Sequence, residues 1–469
     1  MEPTAPPPLR APVPAAVTPR LYRAGTLRYT AGGLAVLSIW LLWGDFAFTF
    51  FENIFGRFMP FYLKDLHASN ALIGVMTGSF AGLVNILFLP NLSRWSDNHR
   101  GPLGRRIPFL YVVTPLAVAA LVGIGFVPEI AGWLHRHLFF HVAPSVTEAA
   151  VFLPLLCVLV VSFHFFNMVL VNAYNWLLRD VVPQEMMARF LSCFRIVGSA
   201  STFAFLWWVF PHMMAHRKEV FLGVGLFYLA AFLLMCRNVR EGEYPPPPAK
   251  EDRPGLAASF GLYFRECLRL PIYRNFFIGY VLASMALGCA GPFAALFTRE
   301  TLGLDMETMG KLFAWGGVPA LVLYYPTGAL CDRLGPLRVT LWAMAGVAAV
   351  SVIGFYYVVS PRSFLAYSLV LTIPAVGWGI GALSATMKLF PQEKFGQFYS
   401  GINVFSCGAM IVGNYAIGKF MDLVGSNYRM TFLWTAALLV VALYPMALVY
   451  RDWKRYGGPH AYVAPLPTP

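Results

Sequence analysis

Two carboxylates, Asp45 and Glu52, lie two helical turns apart in an otherwise apolar run near the start of the chain, with Phe48 between them. In a helix they share one face. An acid at the bilayer centre costs about 2.5–3.5 kcal/mol on insertion scales, so two in one run call for a reason. Asp45 can bond a solute there, and either acid can take up and release a proton. Glu52 has a structural alternative, an ion pair with Arg57 toward the end of the same run. Arg195 sits inside a later apolar run. Its guanidinium can fork onto vicinal hydroxyls or a carboxylate, or neutralise Asp45 in an empty site. The alternative is a side chain that snorkels to the membrane surface. Asn172 and Asn175 fall near one stripe with His164 and Arg179. Amides donate and accept, as a polyol requires, and serve equally well to bond one helix to another. His164 reads as packing. Trp378 stands between Gly377 and Gly379, which suits an aromatic cavity wall, although membrane belts and helix packing use the same residue type.

Other chemistries find little support. His135, His137 and His141 have a weak spacing for a metal site, and the seven cysteines show neither metal-ligand spacing nor a pair in an outer loop. No metal, disulfide or cofactor is expected. A phosphate-cradling Gly-Lys-Ser/Thr loop is missing, as is a nucleophile–base pair for a membrane-embedded enzyme.

These residues need elements to hold them. Hydrophobic residues make up 58% of the 469 and charged residues 12%. A soluble fold cannot hide that much apolar surface, so the bilayer is the solvent for most of the chain. About twelve runs are long enough to span it, near 33–60, 70–92, 107–127, 149–176, 188–210, 219–236, 275–297, 310–330, 336–358, 363–387, 397–420 and 430–450. Lys and Arg gather in alternate connections, which places both termini in the cytoplasm and accounts for the net charge of +13 without nucleic acid. The expected organisation is a disordered tail (1–30), a six-helix bundle (31–236), a cytoplasmic linker with an amphipathic helix (237–274), a second bundle (275–450) and a tail (451–469). The four-proline run Pro245–Pro248 marks the linker.

The two bundles repeat one another. Pro183-Gln184-Glu185, followed by Phe190 and Ser192, returns as Pro391-Gln392-Glu393, followed by Phe398 and Ser400. Asp97, Arg100, Gly104, Arg105 and Arg106 between the second and third runs are echoed by Asp332, Arg333, Gly335 and Arg338 in the other half. A carboxylate there can lock a helix N-terminus or an arginine, making a cytoplasmic gate; the simpler role is anchoring at the headgroups. This doubled acid–glycine–arginine loop resembles the signature of the major facilitator superfamily over roughly residues 30–455. The resemblance implies an all-α integral membrane protein, with about twelve transmembrane helices in two pseudo-symmetric six-helix bundles.

Gly44-Asp45-Phe46-Ala47, the turn Gly104-Arg105-Arg106-Ile107-Pro108-Phe109 and Arg195 further resemble the glycoside–pentoside–hexuronide:cation symporters and the proton-coupled sucrose transporters. That resemblance implies that Asp45 and Arg195 bind sugar hydroxyls. Asn85 and Leu89 stand where melibiose-type members carry two cation-binding acids, which argues against a sodium site, and a helix-four acid is replaced by asparagines. The expectation is a monomeric secondary transporter of the cell (inner) membrane, moving a sugar or glycoside with a proton by alternating access. An organic anion or an amphipathic, lipid-like solute is the alternative cargo. The position equivalent to Arg195 is Asn403, and the seventh run holds no charge. The first half therefore carries the charged machinery, and the second a neutral wall.

Overall fold

The computed structural model describes residues 21–139, 147–244, 267–458 and 462–465. Twelve long helices follow one another among them: α1 (Ala31–Asp65), α2 (Asn70–Asn98), α3 (Ile107–Gly125), α4 (Glu148–Val181), α5 (Met187–Ala204) and α6 (Arg217–Asn238), then α7 (Pro271–Thr301), α8 (Met306–Leu334), α9 (Pro336–Tyr357), α10 (Pro361–Leu389), α11 (Phe395–Leu423) and α12 (Met430–Arg455). Eleven are long and apolar enough to cross a membrane. The exception is α8, whose 29 residues are long enough but are diluted by Glu307, Lys311, Pro319, Pro326, Asp332 and Arg333. Part of its surface faces a cavity instead of lipid.

Side-chain caps start several of these helices. Thr30, Thr147 and Asp305 each accept a bond from an orphan N–H of the first turn, and Ser360 forms a reciprocal box with Ser363. Within the first bundle α1 packs on α5 and α6, α3 on α4 and α6, and α2 on α4. The second bundle repeats every pairing six helices later: α7 on α11 and α12, α9 on α10 and α12, α8 on α10. The sequence repeat takes the same shape twice. Pro183 and Pro391 each open a single 3₁₀ turn, closed by Met186 N–H to Pro183 O (3.0 Å) and Lys394 N–H to Pro391 O (3.2 Å), and a long helix follows.

The bundles meet along α2 and α11. Gly74, Gly78 and Gly82 recur every fourth residue on α2, through its π turn Val75–Ser79, and form a smooth stripe. A Cβ at Gly74 or Gly78 would run into Asn414, and one at Gly82 would press Ile411. Gly418 on α11 lies equally close to Asn70 and Ala71. Small residues let two backbones approach where lipid offers no hydrophobic drive to associate. At the head of this contact Asp422 caps the N-terminus of α2. Its carboxylate accepts from Asn70 N–H (2.9 Å), the Asn70 amide (2.9 Å) and Ala71 N–H (3.1 Å). Asn70 is fixed in turn by Ser426 and Tyr428. An anion on a helix N-terminus is favoured by both the free N–H groups and the macrodipole. Asp65 and Arg299 add an ion pair between α1 and α7.

Both chain ends differ from the expected tails. Tyr22–Ala24 and Leu27–Tyr29 pair as an antiparallel hairpin around Gly25, whose φ of 57° is the left-handed conformation that a tight turn requires. Thr26 Oγ1 accepts from Glu243 N–H, so the hairpin docks on the segment after α6; residues 1–20 of the expected tail lie outside the described residues. Near the other end, Tyr273 donates to Pro465 O and Tyr462 donates to Leu389 O. The expected amphipathic helix of the linker falls largely outside the described residues.

Replacing Asp422 by Ala strips the cap that joins the bundles. Spin labels at His67 and Asn427, both exposed beside the joint, are expected to move from one short distance in the parent protein to a broadened, longer distribution in Asp422→Ala. An unchanged distribution would remove Asp422 from the joint.

Candidate functional site

Between the bundles, α1, α5 and α8 enclose a cavity of about 680 Å³. It falls within the range of sites that hold small organic ligands. Asp45, Thr49 and Arg57 come from α1; Arg195, Gly198, Ser199 and Thr202 from α5; Phe313, Gly317 and Tyr324 from α8. The structure thus brings Asp45 and Arg195 to one space, and Arg195 is exposed within its wall. They form no ion pair with each other among the described residues. Asp45 is only 2% exposed, and its Oδ2 is sealed without a hydrogen-bond partner. A Cβ at Gly198 would sit 3.5 Å from that oxygen, so the glycine keeps the space beside it clear. The frame around Asp45 is rigid: Ser201 donates to Phe46 O (2.7 Å) and Asn53 donates to Thr202 Oγ1 (3.1 Å), tying α1 to α5 on both sides of Thr49. A buried carboxylate oxygen without a partner carries a desolvation penalty, which a donated hydroxyl or a proton removes.

Glu52 opens into a smaller chamber of about 250 Å³ between α1 and α7, lined also by Asn53, Gly56, Arg57 and Pro292. It accepts from Asn167 Nδ2 at 3.3 Å and does not pair with Arg57. The remaining candidates lie apart. Asn172 donates to Met168 O of its own helix, and Asn175 is exposed on α4. Asn403 is exposed and bonds Tyr399 O one turn back. Trp378 leans on Tyr280 at 5.5 Å between ring centroids, within the second bundle. None of these four is among the residues lining the central cavity. A separate groove of about 570 Å³ between α2, α3 and α4 is walled by Phe88, Trp95, Phe109 and Phe165, and suits acyl chains better than a polar solute.

The arginine turn before α3 forms a second cluster. Arg106 pairs with Asp97 and Asp180, lies 4.8 Å over the ring of Trp176, and bonds Ser96. Arg105 forks onto Asp180 at 3.1 and 2.8 Å. Burial works against its charge, but the bonds from Asp180 outweigh this and hold its pKa above the usual guanidinium value. Arg100 donates to the carbonyls of Asp97 and His99. Glu241, from the segment after α6, accepts the N–H groups of Arg105, Arg106 and Ile107 at 2.9, 2.8 and 2.7 Å and so caps α3. Gly104 has φ 97°, and a Cβ there would collide with Glu241, so the turn requires glycine twice over. Tyr244 closes the cluster by donating to Glu241; burial, then the Glu241 and Asp180 carboxylates, push its hydroxyl well above the ordinary phenol range. The named partners come from the first bundle and the segment that follows α6. Asp332 and Arg333, the counterparts in the second half, form no ion pair among the described residues.

Sequence reasoning passed over Arg57 as a cavity residue, and Asp180 and Glu241 as partners of the arginines. Arg57 was legible only as a possible partner of Glu52. Asp180 follows Arg179 at a helix end and Glu241 lies in a charged stretch, so neither position stands out without the fold.

Two six-helix bundles around a central, partly charged cavity define a membrane transporter fold. The family model described as Major Facilitator Superfamily matches residues 41–413, and the chain belongs to that superfamily as a multi-pass integral membrane protein. Among curated proteins none matches the sequence. Solved structures share the fold at low identity. A bacterial homologue of the iron transporter ferroportin in the inward-facing state is 15% identical, covering 88% of this chain and 98% of that one, with a TM-score of 0.64. A bacterial homologue of the human lysosomal transporter Spinster is 12% identical, with 90% and 98% covered and a TM-score of 0.65. A nucleoside transporter is 12% identical, with 88% and 100% covered and a TM-score of 0.67.

Glu241→Ala leaves three helix N–H groups unpaired. It is expected to lower stability by about 1–2 kcal/mol, read as a reduced thermal unfolding midpoint in detergent, with Glu241→Gln intermediate. An unchanged midpoint in the alanine variant would show that water caps α3 equally well.

Proposed function

We propose that the chain is a monomeric secondary transporter of the inner membrane that moves a sugar or glycoside together with a proton by alternating access. The observation that carries this reading is Asp45: a buried carboxylate with an unpartnered oxygen, in one cavity, large enough for a sugar, with an arginine that has no ion pair among the described residues. Asp45 and Arg195 would hold solute hydroxyls, and Thr49, Ser199 and Thr202 add hydroxyl partners. A protonated Asp45 would donate to a solute hydroxyl, so that proton and solute are held in the same carrier state; Glu52 is the second proton carrier. Asn172, Asn175, Asn403 and Trp378 are proposed as wall residues reached in other states of the cycle.

The positive-inside rule puts the arginine turn in the cytoplasm. The α2–α11 joint then closes the outer end, and the exposed α5 residues Leu191, Cys193 and Arg195 face the inner approach. Asp97, Arg100, Arg105, Arg106, Asp332 and Arg333 are the proposed inner gate. The arginines bond within the first bundle and to the segment after α6, and among the described residues Asp332 and Arg333 form no ion pair, which fits an open gate.

Counterflow in proteoliposomes with a panel of labelled sugars, run at several pH values with and without sodium, tests the reading. Exchange that follows the proton gradient and ignores sodium is expected. Asp45→Asn is expected to abolish uphill uptake. Uptake by that variant at the parent rate would return Asp45 to a structural role, and sodium dependence without proton dependence would overturn the coupling.

A further inference from the structure

Arg57 has no structural duty that accounts for it. Arg57 lines both the central cavity and the α1–α7 chamber. Among the described residues it makes no hydrogen bond and no ion pair; its one recorded contact is with the ring of Phe313, 5.8 Å from the centroid. Glu52 does not neutralise it. The two are five residues apart, which on a helix places them about 140° apart on different faces, and Glu52 is engaged by Asn167. Among the described residues no acceptor meets its donors, and a charged side chain within a span is disfavoured unless it is paired or reached by water. Phe313 lines both spaces as well, so the chamber adjoins the central cavity. Space for a ligand group is already present, since a Cβ at Gly56 or Gly291 would meet nothing within 4 Å.

We infer that Arg57 is an anion subsite and that the transported solute carries a carboxylate, held by Arg57 in the side chamber while its hydroxyls reach Asp45 and Arg195. The planar fork of a guanidinium matches a carboxylate bidentately. Asp45 and Arg57 are twelve residues apart on α1, about 18 Å along the axis. Even with the reach of both side chains, one solute touching both is longer than a single sugar ring. A disaccharide or glycoside bearing one acid group at its end meets both requirements. This inference rests on the sugar-transport reading and narrows its cargo.

The test uses reconstituted full-length protein and labelled disaccharides, each paired with its carboxylated form, such as lactose with lactobionate and cellobiose with cellobionate. The acid of a pair is expected to exchange at least about tenfold faster than its neutral partner. Arg57→Gln should abolish that preference, Arg57→Lys should keep part of it, and Gly56→Val, which fills the chamber without touching a charge, should also lose it. Where Arg57→Gln fails to fold, the preference of the parent protein and the Gly56→Val result decide. Exchange of the neutral sugars as fast as the acids, or an acid preference that survives in Arg57→Gln, overturns the anion subsite and leaves sugar transport standing. Exchange of no sugar of either kind overturns the sugar reading and the inference with it.

Discussion

The close approach of α2 to α11 is the constraint on which the rest of the arrangement depends. Within each bundle, helices are held by many interlocked apolar side chains. Between bundles, the glycine stripe Gly74, Gly78 and Gly82 meets Asn414 and Ile411, and Asp422 sits on the first turn of α2. In lipid such a joint gains little from apolar burial, so its strength comes from packing and from hydrogen bonds that have no water to replace them. That makes it firm when made and separable when its few polar bonds are exchanged. A joint of many interdigitated leucines would have neither property. With the bundles in contact there, α1, α5 and α8 are left around a cavity into which Asp45, Arg57 and Arg195 project.

The pseudo-symmetry of the fold is exact in helix pairing and broken in charge. The turn before α3 is built into a dense network of Asp97, Arg105, Arg106, Asp180 and Glu241, whereas its counterpart before α9 keeps the positive-φ glycine, Gly335, and has no such ion pairs among the described residues. The same division holds at depth, where α1 carries Asp45, Glu52 and Arg57 and the apolar core of α7 carries no charge. The arginine-turn charges are held within the first bundle and the segment after α6, whereas the charged contacts between bundles include the Asp65–Arg299 pair and the Asp422 cap.

Much of this was legible in the sequence, for identifiable reasons. Long apolar runs and the doubled Pro-Gln-Glu turn announce two bundles, because the bilayer forces every span to be a helix of known length. Asp45 and Arg195 stood out as charges in apolar runs, and they do share a cavity. Arg57 was hidden because a charge near a span's end is ordinary, and only the fold shows it lining a chamber with no ion-pair partner among the described residues. The α2 glycines carry no local mark of a joint, because the α11 residues that meet them lie in the other half of the chain. Glu241 and Asp180 act through tertiary neighbours far away in the chain, which no local pattern records. Asn172, Asn175, Asn403 and Trp378 have the right chemistry for a polar wall, but a stripe on one helix does not say which neighbour it faces.

The central claim is that the cavity serves the two membrane faces alternately, with the α2–α11 end as a moving part. The most direct measurement replaces Asp65 and Arg299, the ion pair beside that joint, with cysteines in a background freed of native cysteines, and bridges them with a short bifunctional thiol reagent in proteoliposomes. The account predicts that bridging stops counterflow, that reduction of the bridge restores it, and that solute still binds from the cytoplasmic side while the bridge is in place. Counterflow that continues at the unbridged rate with the outer end covalently closed would contradict it.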